Sequence, residues 1–363
     1  MGTVTGWILL SFLLTFGLAP IIIHILYRYR IVRKTDTDFS AIVGERYLKA
    51  GTPIMGGLMM IISILLLTII FNWHGSTVVP IVVLIISALL GGFDDVMNIY
   101  GRKRVIRTVD KQIKLAKVHK HLSKRIFYWI TLPWAAYKNI WFALGSYPGN
   151  GIHAGEKILI QLFVGCLVAW WIFFRLGWSV LWIPVIGEFD IGILMPLVVI
   201  GLVMIMTNAV NISDGMDGLA SGMLVPSFIA YLLIAIQQEQ HEIAILCAIT
   251  IGALLAYIYF NIKPARVEMG DVGTLALGAL LATVALALRR EFLLPIIGGL
   301  FFIEIGSSLL QGVYRKIVGR RLLKMAPLHL HLQVRGWSEE KTVMRFWLFS
   351  VIFAILGLWI SQF

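Results

Sequence analysis

The sequence predicts an all-α polytopic membrane protein of about ten transmembrane helices, with both termini on the extracytoplasmic side. Three observations predict it. Of the 363 residues, 59% are apolar and 14% are charged, against about 45–50% and about 25% in a soluble domain. The mean hydropathy is +0.87, and the apolar residues are gathered into long uninterrupted runs. The charges are sorted between alternate loops. This composition excludes an ordinary soluble globule, a disordered chain and a disulfide-stapled module. Cys166 and Cys247 both lie inside apolar runs and form no CxxC pair.

A spanning helix needs about 20 apolar residues. Runs that approach this length cover 6–26, 54–72, 78–97, 158–176, 190–208, 219–236, 242–261, 271–288, 293–313 and 342–361. The first has no cationic stretch before it and no small-residue cleavage pattern after it. It reads as a retained helix rather than a signal peptide. Ten crossings return the chain to its starting side. Segments 27–53, 98–157, 262–270 and 314–345 carry 28 of the 31 Lys and Arg, leaving Arg175, Arg289 and Arg290 on the other side. Basic loops are retained in the cytoplasm. The formal charge of +12 is therefore read as orientation, with no nucleic-acid partner expected.

The stretch 102–149 interrupts this pattern. Phe127 to Leu144 is aromatic and fairly apolar, but it contains Pro133, Lys138 and Asn139. If it spanned, every later loop would change sides and the charge asymmetry would collapse. Before it, Val105, Val109, Ile113 and Ala116 recur at helical spacing among Lys and Arg. A basic amphipathic helix suits an anionic leaflet, so the whole stretch is expected to be interfacial. A solvated basic loop is the plainer alternative. The chain 1–363 is otherwise expected to be a single transmembrane catalytic domain.

The informative polar residues are acids at the ends of apolar helices, where burying charge is costly and usually functional. Asp94 and Asp95 end the third run. Asn208-Ala-Val-Asn-Ile-Ser-Asp-Gly-Met-Asp-Gly218 follows the fifth. Met269-Gly-Asp-Val-Gly273 opens the eighth, and Pro327-Leu-His-Leu-His331 lies in the last long loop. The topology, drawn from Lys and Arg alone, places all four clusters on the cytoplasmic face, which argues for one shared site. Carboxylates with Asn and little thiol suit a hard cation such as Mg2+. Such a cation with Lys and His suits a diphosphate. Asp214 and Asp217, three residues apart, would share a face of a helix. A snorkelling helix end or a helix cap is the plainer reading of any one of these acids. His329 and His331 lack further ligands at zinc spacing and read as phosphate or sugar contacts. Neither a P-loop nor a Rossmann glycine fingerprint is present.

With these motifs in hand, the sequence resembles the phospho-N-acetylmuramoyl-pentapeptide transferases, a branch of the polyprenyl-phosphate N-acetylhexosamine-1-phosphate transferases. The resemblance runs from Gly51-Thr-Pro-Ile-Met-Gly-Gly57 to Arg345-Phe-Trp347, broken only by 102–149. Its most specific parts are Asn208 to Leu219, Met269 to Gly273, and Met325-Ala-Pro327 with the histidines after it. It implies ten helices in the bacterial cytoplasmic membrane and a Mg2+-dependent reaction at the cytoplasmic face. UDP-MurNAc-pentapeptide would give its phospho-sugar to undecaprenyl phosphate, releasing UMP and lipid I, the first membrane step of peptidoglycan synthesis. Expected partners are these two substrates, membrane lipids and, as one candidate, a second copy of the chain.

Carried over by motif, Asp94 and Asp95 resemble the pair near the lipid phosphate, with Asp94 the candidate to hold it or accept its proton. Asp271 resembles the metal ligand, assisted by Asp214. Asn208, Asp214 and Asp217 resemble substrate and diphosphate contacts, and Asn261 a nucleotide contact. Lys157 resembles the lysine that faces the diphosphate, and Lys49 a basic position before Gly51. His329 and His331 match the outer members of a triple histidine. Three features depart from the pattern: Leu330 replaces the middle histidine, Asn98 stands where lysine is usual, and 102–149 is much longer than usual. Two other readings stand beside this one. A sibling transferase would use another UDP-HexNAc. A secondary transporter would place its acids at mid-membrane on broken helices, often with repeats.

Overall fold

The computed structural model describes residues 2–33, 49–101, 108–143 and 151–363. The basic residues at 34, 46, 102, 103, 104 and 107, and Val105 of the expected amphipathic stripe, lie outside the described residues.

Each apolar run becomes helical over most of its length. Helix α1 spans Gly2–Arg28, α2 Gly57–Phe71 and α3 Gly75–Tyr100. Three short helices follow: α4 (Val109–Val118), α5 (Leu122–Ile130) and α6 (Leu132–Ala143). Helix α7 (Ala154–Trp170) runs into a π-helical turn over Trp171–Arg175. A two-stranded antiparallel hairpin, β1 (Val180–Ile183) with β2 (Gly187–Asp190), pairs Val180 with Asp190. It leads to α8 (Met195–Ser213), α9 (Leu219–Gln237), α10 (His241–Asn261) and α11 (Gly270–Ala287). The chain closes with α12 (Leu294–Ile297), α13 (Gly299–Val318), α14 (Leu328–Val334) and α15 (Glu339–Ile360).

Eight of these helices are long and apolar enough to cross a membrane. The pair Glu291–Ile297 and Gly299–Val318 is apolar enough to make a ninth only if the two pieces, bent by 79°, are taken together. The apolar 15-residue α2 is shorter. The chain is thus an all-α polytopic membrane protein. Three details differ from the runs read in the sequence. The run 190–208 starts in a strand and a 3-10 turn, so its helix begins at Met195. The run 293–313 is broken at Gly298, next to Gly299 and three residues after Pro295, residues that weaken a helix interior. The segment 127–144 is interrupted at Thr131, between helices of 9 residues (Leu122–Ile130) and 12 residues (Leu132–Ala143), each too short to span.

Helix α11 is the hub of the bundle. Every residue from Val272 to Leu286 is buried, and its many Ala and Gly residues let neighbouring backbones come close. It packs on α3, α8 and α2. The approach to α3 is closest at Gly91, where a Cβ atom would lie 2.1 Å from the Asp271 carbonyl oxygen. That contact brings the Asp94 and Asp95 end of α3 to the start of α11. The outer helices keep large apolar side chains exposed, among them Leu9, Leu13, Leu197, Leu309 and Leu348. On a membrane protein these form the lipid-facing surface rather than a partner site.

Candidate active site

The four polar clusters meet at one end of the bundle, the end away from the hairpin. Helix α7 supplies the central cation. Its first turn is fixed by His153 and Glu156: the Gly155 amide donates to His153 Nδ1 at 3.3 Å, and the His153 amide donates to Glu156 Oε2 at 3.2 Å. One residue on, Lys157 Nζ lies 2.6 Å from Asp94 Oδ2 and 2.6 Å from Asp271 Oδ2. A single ammonium therefore joins the end of α3 to the start of α11.

The two aspartates of α3 are held differently. Asp94 is 1% exposed. Its Oδ1 accepts the Ile152 amide at 2.6 Å, and its Oδ2 also accepts Asn98 Nδ2 at 2.9 Å. Asp95 accepts the backbone amides of Asp271 and Val272 at 3.1 and 3.0 Å. Those amides are among the otherwise unpaired donors of the first turn of α11, so Asp95 caps that helix from outside. On the far side of Asp271, Oδ1 accepts Asn211 Nδ2 at 2.9 Å. Asn211 also donates to Thr274 at 3.0 Å.

Asp214 and Asp217 are not on a helix, contrary to the spacing argument. Helix α8 ends at Ser213, and Gly218 precedes α9 with φ +77°, a left-handed conformation open to glycine. The two acids lie in the connecting turn and face different partners. Asp217 Oδ1 is 2.5 Å from Lys49 Nζ, and its Oδ2 accepts the Ala265 amide at 3.0 Å. Lys49 also reaches Glu339 Oε1 at 2.9 Å. Glu339 accepts the Asp217 amide at 2.9 Å and pairs with Lys263 at 3.2 Å. Burial alone would lower the pKa of Lys49, but the charges of Asp217 and Glu339 leave it raised. Asp214 lies in the cleft with Arg33, Lys49 and Glu268. Burial, then the charge of Glu268, pushes its carboxyl up to about 7, while Arg33 and Lys49 oppose the shift and Asp271 adds to it.

A narrow cleft with a cavity volume of about 10 Å3 lies between these groups, lined by Arg33, Lys49, Asp214, Asp217, Asn261 and Glu268 among others. Backbone pairing builds its wall. Arg33 and Thr52 bond at 2.9 Å, and the Glu268 amide donates to the Pro53 carbonyl at 2.9 Å. Arg33 Nε lies 2.7 Å from Glu268 Oε2, with Nη2 closing a second contact to the same oxygen. Asn261 spends its amide on the fold. It accepts the Gly218 amide at 3.0 Å and donates to the Val267 carbonyl at 3.0 Å, which ties the two cleft loops together.

The histidines diverge. His329 is fully buried, and its Nδ1 lies 2.7 Å from Glu304 Oε2. Glu304 Oε1 accepts the His329 amide at 3.1 Å. Nε2 has no hydrogen-bond partner among the described residues and points at the Asp214 to Asp217 turn, since a Cβ atom on Gly215 would lie 2.2 Å from it. His331 is half-exposed, and its Nδ1 accepts the Lys324 amide at 3.1 Å. Burial, then the Arg335 and Lys324 charges, lowers its pKa. Asn208 is a turn away from the acids, exchanging hydrogen bonds with Gln161 at 2.7 and 3.3 Å.

The structure therefore brings Asp94, Asp95, Lys157 and Asp271 together, and sets Asp214 beside Arg33 and Lys49. It sets Lys49, Asp217 and Asn261 around the adjoining cleft. His329 backs onto the turn between them, while Asn208 and His331 stand one layer out. Sequence reasoning missed Asn211, Gln161, Glu268, Glu304 and Glu339. Glu304 carried a readable signal, as the one acid inside the run 293–313.

The donor set suits Mg2+ in its usual mode, one or two carboxylates completed by substrate phosphates and water. Asp271 is the carboxylate at the centre of this set, the charge of Asp271 also acts on Asp214, and Asn211 is a further oxygen-bearing side chain. Among the described residues no three His, Cys, Asp or Glu side chains converge as a cage, so a cation here would share its coordination with phosphate.

Comparison with known proteins matches this picture. The glycosyl transferase family 4 profile matches residues 149–289, the part that carries Lys157, the Asn208 to Gly218 segment, Asn261 and Asp271. The chain is 33% identical to the phospho-N-acetylmuramoyl-pentapeptide-transferase of Bacillus subtilis (strain 168), over 98% of this chain and 96% of that one. It is 33% identical to that of Levilactobacillus brevis over 86% and 85% of the two chains. For Caldicellulosiruptor bescii the identity is 30%, over 98% and 96%. Near-complete coverage at this identity, on a bundle whose acids meet at one end, shows that the chain belongs to the phospho-N-acetylmuramoyl-pentapeptide-transferase family.

Proposed function

We propose that the chain transfers phospho-MurNAc-pentapeptide from UDP-MurNAc-pentapeptide to undecaprenyl phosphate at the cytoplasmic face of the bacterial membrane, yielding lipid I and UMP. The observation that carries this reading is Lys157, held at 2.6 Å by both Asp94 and Asp271. A phosphoryl transfer between two anions needs charge placed before they meet, and this ammonium is already aimed. An oxygen of the lipid phosphate attacks the sugar-bearing phosphorus. The bond from that phosphorus to the bridging oxygen breaks, and the electron pair leaves with UMP. The lipid phosphate is itself the nucleophile, so no Ser or Cys is required.

The chain's own groups divide the work. Lys157 exchanges a carboxylate partner for phosphate oxygens as substrate enters. Asp94, which already accepts from three donors, holds Lys157 and the loop before α7. Asp95 orients Asp271 by capping α11. Asp217 and Lys49 present the cleft to the nucleotide end, with Asn261 bracing its loops. His329 reaches the turn from behind, and His331 and Asn208 support the outer layer. Mg2+ held by Asp271 and Asp214 would supply charge compensation for the diphosphate. One substrate arrives from water and the other laterally through lipid, which fits a site at the helix ends.

UMP release from UDP-MurNAc-pentapeptide, in the presence of undecaprenyl phosphate, tests the reading. Release should require the lipid phosphate and stop when divalent cations are chelated. Release from another UDP-HexNAc but not from the MurNAc-pentapeptide donor would assign the sibling reaction instead. Leu330 at the middle of the histidine motif and Asn98 are the two features that favour that second reading. Uptake of substrate without any UMP would point to transport.

A further inference from the structure

We propose that α4–α6 form a docking surface for anionic phospholipid headgroups, coupled to the helix that carries Lys157. The observations begin with what the three helices hide. Of the expected stripe on α4, Ala116 is buried and Val109 and Ile113 are half-buried, and Gln112 beside them is buried, because α5 and α6 pack on this side. Gln112 Nε2 donates to Thr131 Oγ1 at 2.7 Å, and Arg125 Nε to the Ala116 carbonyl at 3.2 Å. The three helices therefore have a small interior of their own.

Their outer face is apolar where water would be expected. Leu122, Ile126, Trp129 and Ile130 are 69, 51, 48 and 72% exposed. They follow each other at steps of four, three and one, which places them on one side of α5. Trp134 and Ile140 continue the exposed patch on α6. The same three helices and their connections carry Lys111, Lys114, Lys117, Lys120, Lys124, Arg125 and Lys138, against the single acid Asp110. An apolar stripe in a cation-rich segment is the composition of a helix lying in the headgroup zone, and clustered Lys and Arg select anionic lipid. Position agrees with composition. The segment lies between the end of one spanning helix at Tyr100 and the start of the next near Ala154, so both of its ends are held close to the bilayer surface.

The same segment is clamped to the site. Tyr137 donates its hydroxyl to the Gly155 carbonyl at 2.8 Å, and Lys138 pairs with Glu156 at 2.8 Å. A Cβ atom on Gly155 would lie 2.5 Å from Trp141. These contacts fall on the two residues immediately before Lys157. Docking of α5 on lipid thus bears on the first turn of α7. The docking stands independently of the chemistry, whereas its effect on turnover rests on the transferase reading.

The test uses the full chain with Cys166 and Cys247 replaced by Ser and an environment-sensitive fluorophore on Ile126→Cys. Discs of phosphatidylcholine alone are compared with discs containing about 30% phosphatidylglycerol. We expect quenching by shallow spin-labelled lipid, strengthened by phosphatidylglycerol, and protection from aqueous iodide. In the Lys114→Gln, Lys117→Gln, Lys124→Gln variant the phosphatidylglycerol effect should vanish. UMP release by the unlabelled wild type should rise about threefold with phosphatidylglycerol, and that of the variant should not. A probe open to iodide in both discs overturns the docking surface. So does a probe shielded from iodide and from spin-labelled lipid alike, which would mean that a protein or a second copy covers the stripe. Lipid quenching with turnover indifferent to phosphatidylglycerol overturns the coupling. Lipid quenching without any UMP release in either disc would instead sink the transferase reading and leave the docking intact.

Discussion

At the scale of residues, the site consists of charges that would be costly to bury singly and are bearable in combination. Removing one member of a buried ion pair typically costs about 3–5 kcal/mol, because the other is left uncompensated. The same logic governs Glu304 and His329, both fully buried. Glu304→Gln keeps the shape but loses one of the two acceptors that hold the imidazole and its amide. We expect UMP release to fall about tenfold, equivalent to ~1.4 kcal/mol, with a measurable drop in Tm. Leu330 belongs to the apolar side of the same short helix, 5% exposed. Leu330→His would bury an imidazole there and should cost about 1–3 kcal/mol, read as a lowered Tm in a thermal-shift measurement. The acids themselves were legible in the sequence, because charge at the end of an apolar run is conspicuous. Their geometry was not. Asp214 and Asp217 have helical spacing, yet α8 ends at Ser213 and both acids fall in the turn before Gly218. Glu268 and Glu339 were hidden because a polar loop residue carries no mark of the partner it will meet.

At the scale of elements, the site depends on how closely α3 and α11 approach. Gly91 permits it. A Cβ atom there would lie 2.1 Å from the Asp271 carbonyl oxygen, a backbone atom that cannot swing aside. Gly91→Ala should therefore cost about 1–3 kcal/mol of stability and lose activity as well, because the Asp94–Lys157–Asp271 bridge spans the two helices. Gly306→Ala, with nothing near its new Cβ atom, should change neither, and Tm beside UMP release separates the two variants. The apolar runs announced most spanning helices because a 20-residue apolar stretch has few other stable forms in lipid. They could not announce the break at Gly298 or the hairpin 180–190. Those depend on local turn chemistry, not on hydropathy. The stripe on α4 is helical over its described part, Val109 to Ala116, and α5 and α6 pack against it. Periodicity identifies a face, and packing decides what covers it.

At the scale of the whole molecule, sorting of Lys and Arg between loops predicts that the polar end is cytoplasmic and the hairpin end is outside. With Cys166 and Cys247 replaced by Ser, Ser123→Cys should react with an impermeant maleimide only from the cytoplasmic side, and Ile186→Cys only from outside. Both residues are exposed. Labelling of the two from one side would break the topology. The site itself is a property of the assembled bundle, since α3, α7, α8 and α11 each supply a part and no single segment contains it. Lys157 is the group that joins those parts. The most direct measurement is therefore UMP release by Lys157→Met in membranes supplied with UDP-MurNAc-pentapeptide, undecaprenyl phosphate and Mg2+, beside the wild type. The account predicts a protein that still purifies as a folded species and loses turnover by about 100-fold or more. Turnover within about twofold of the wild type would contradict it.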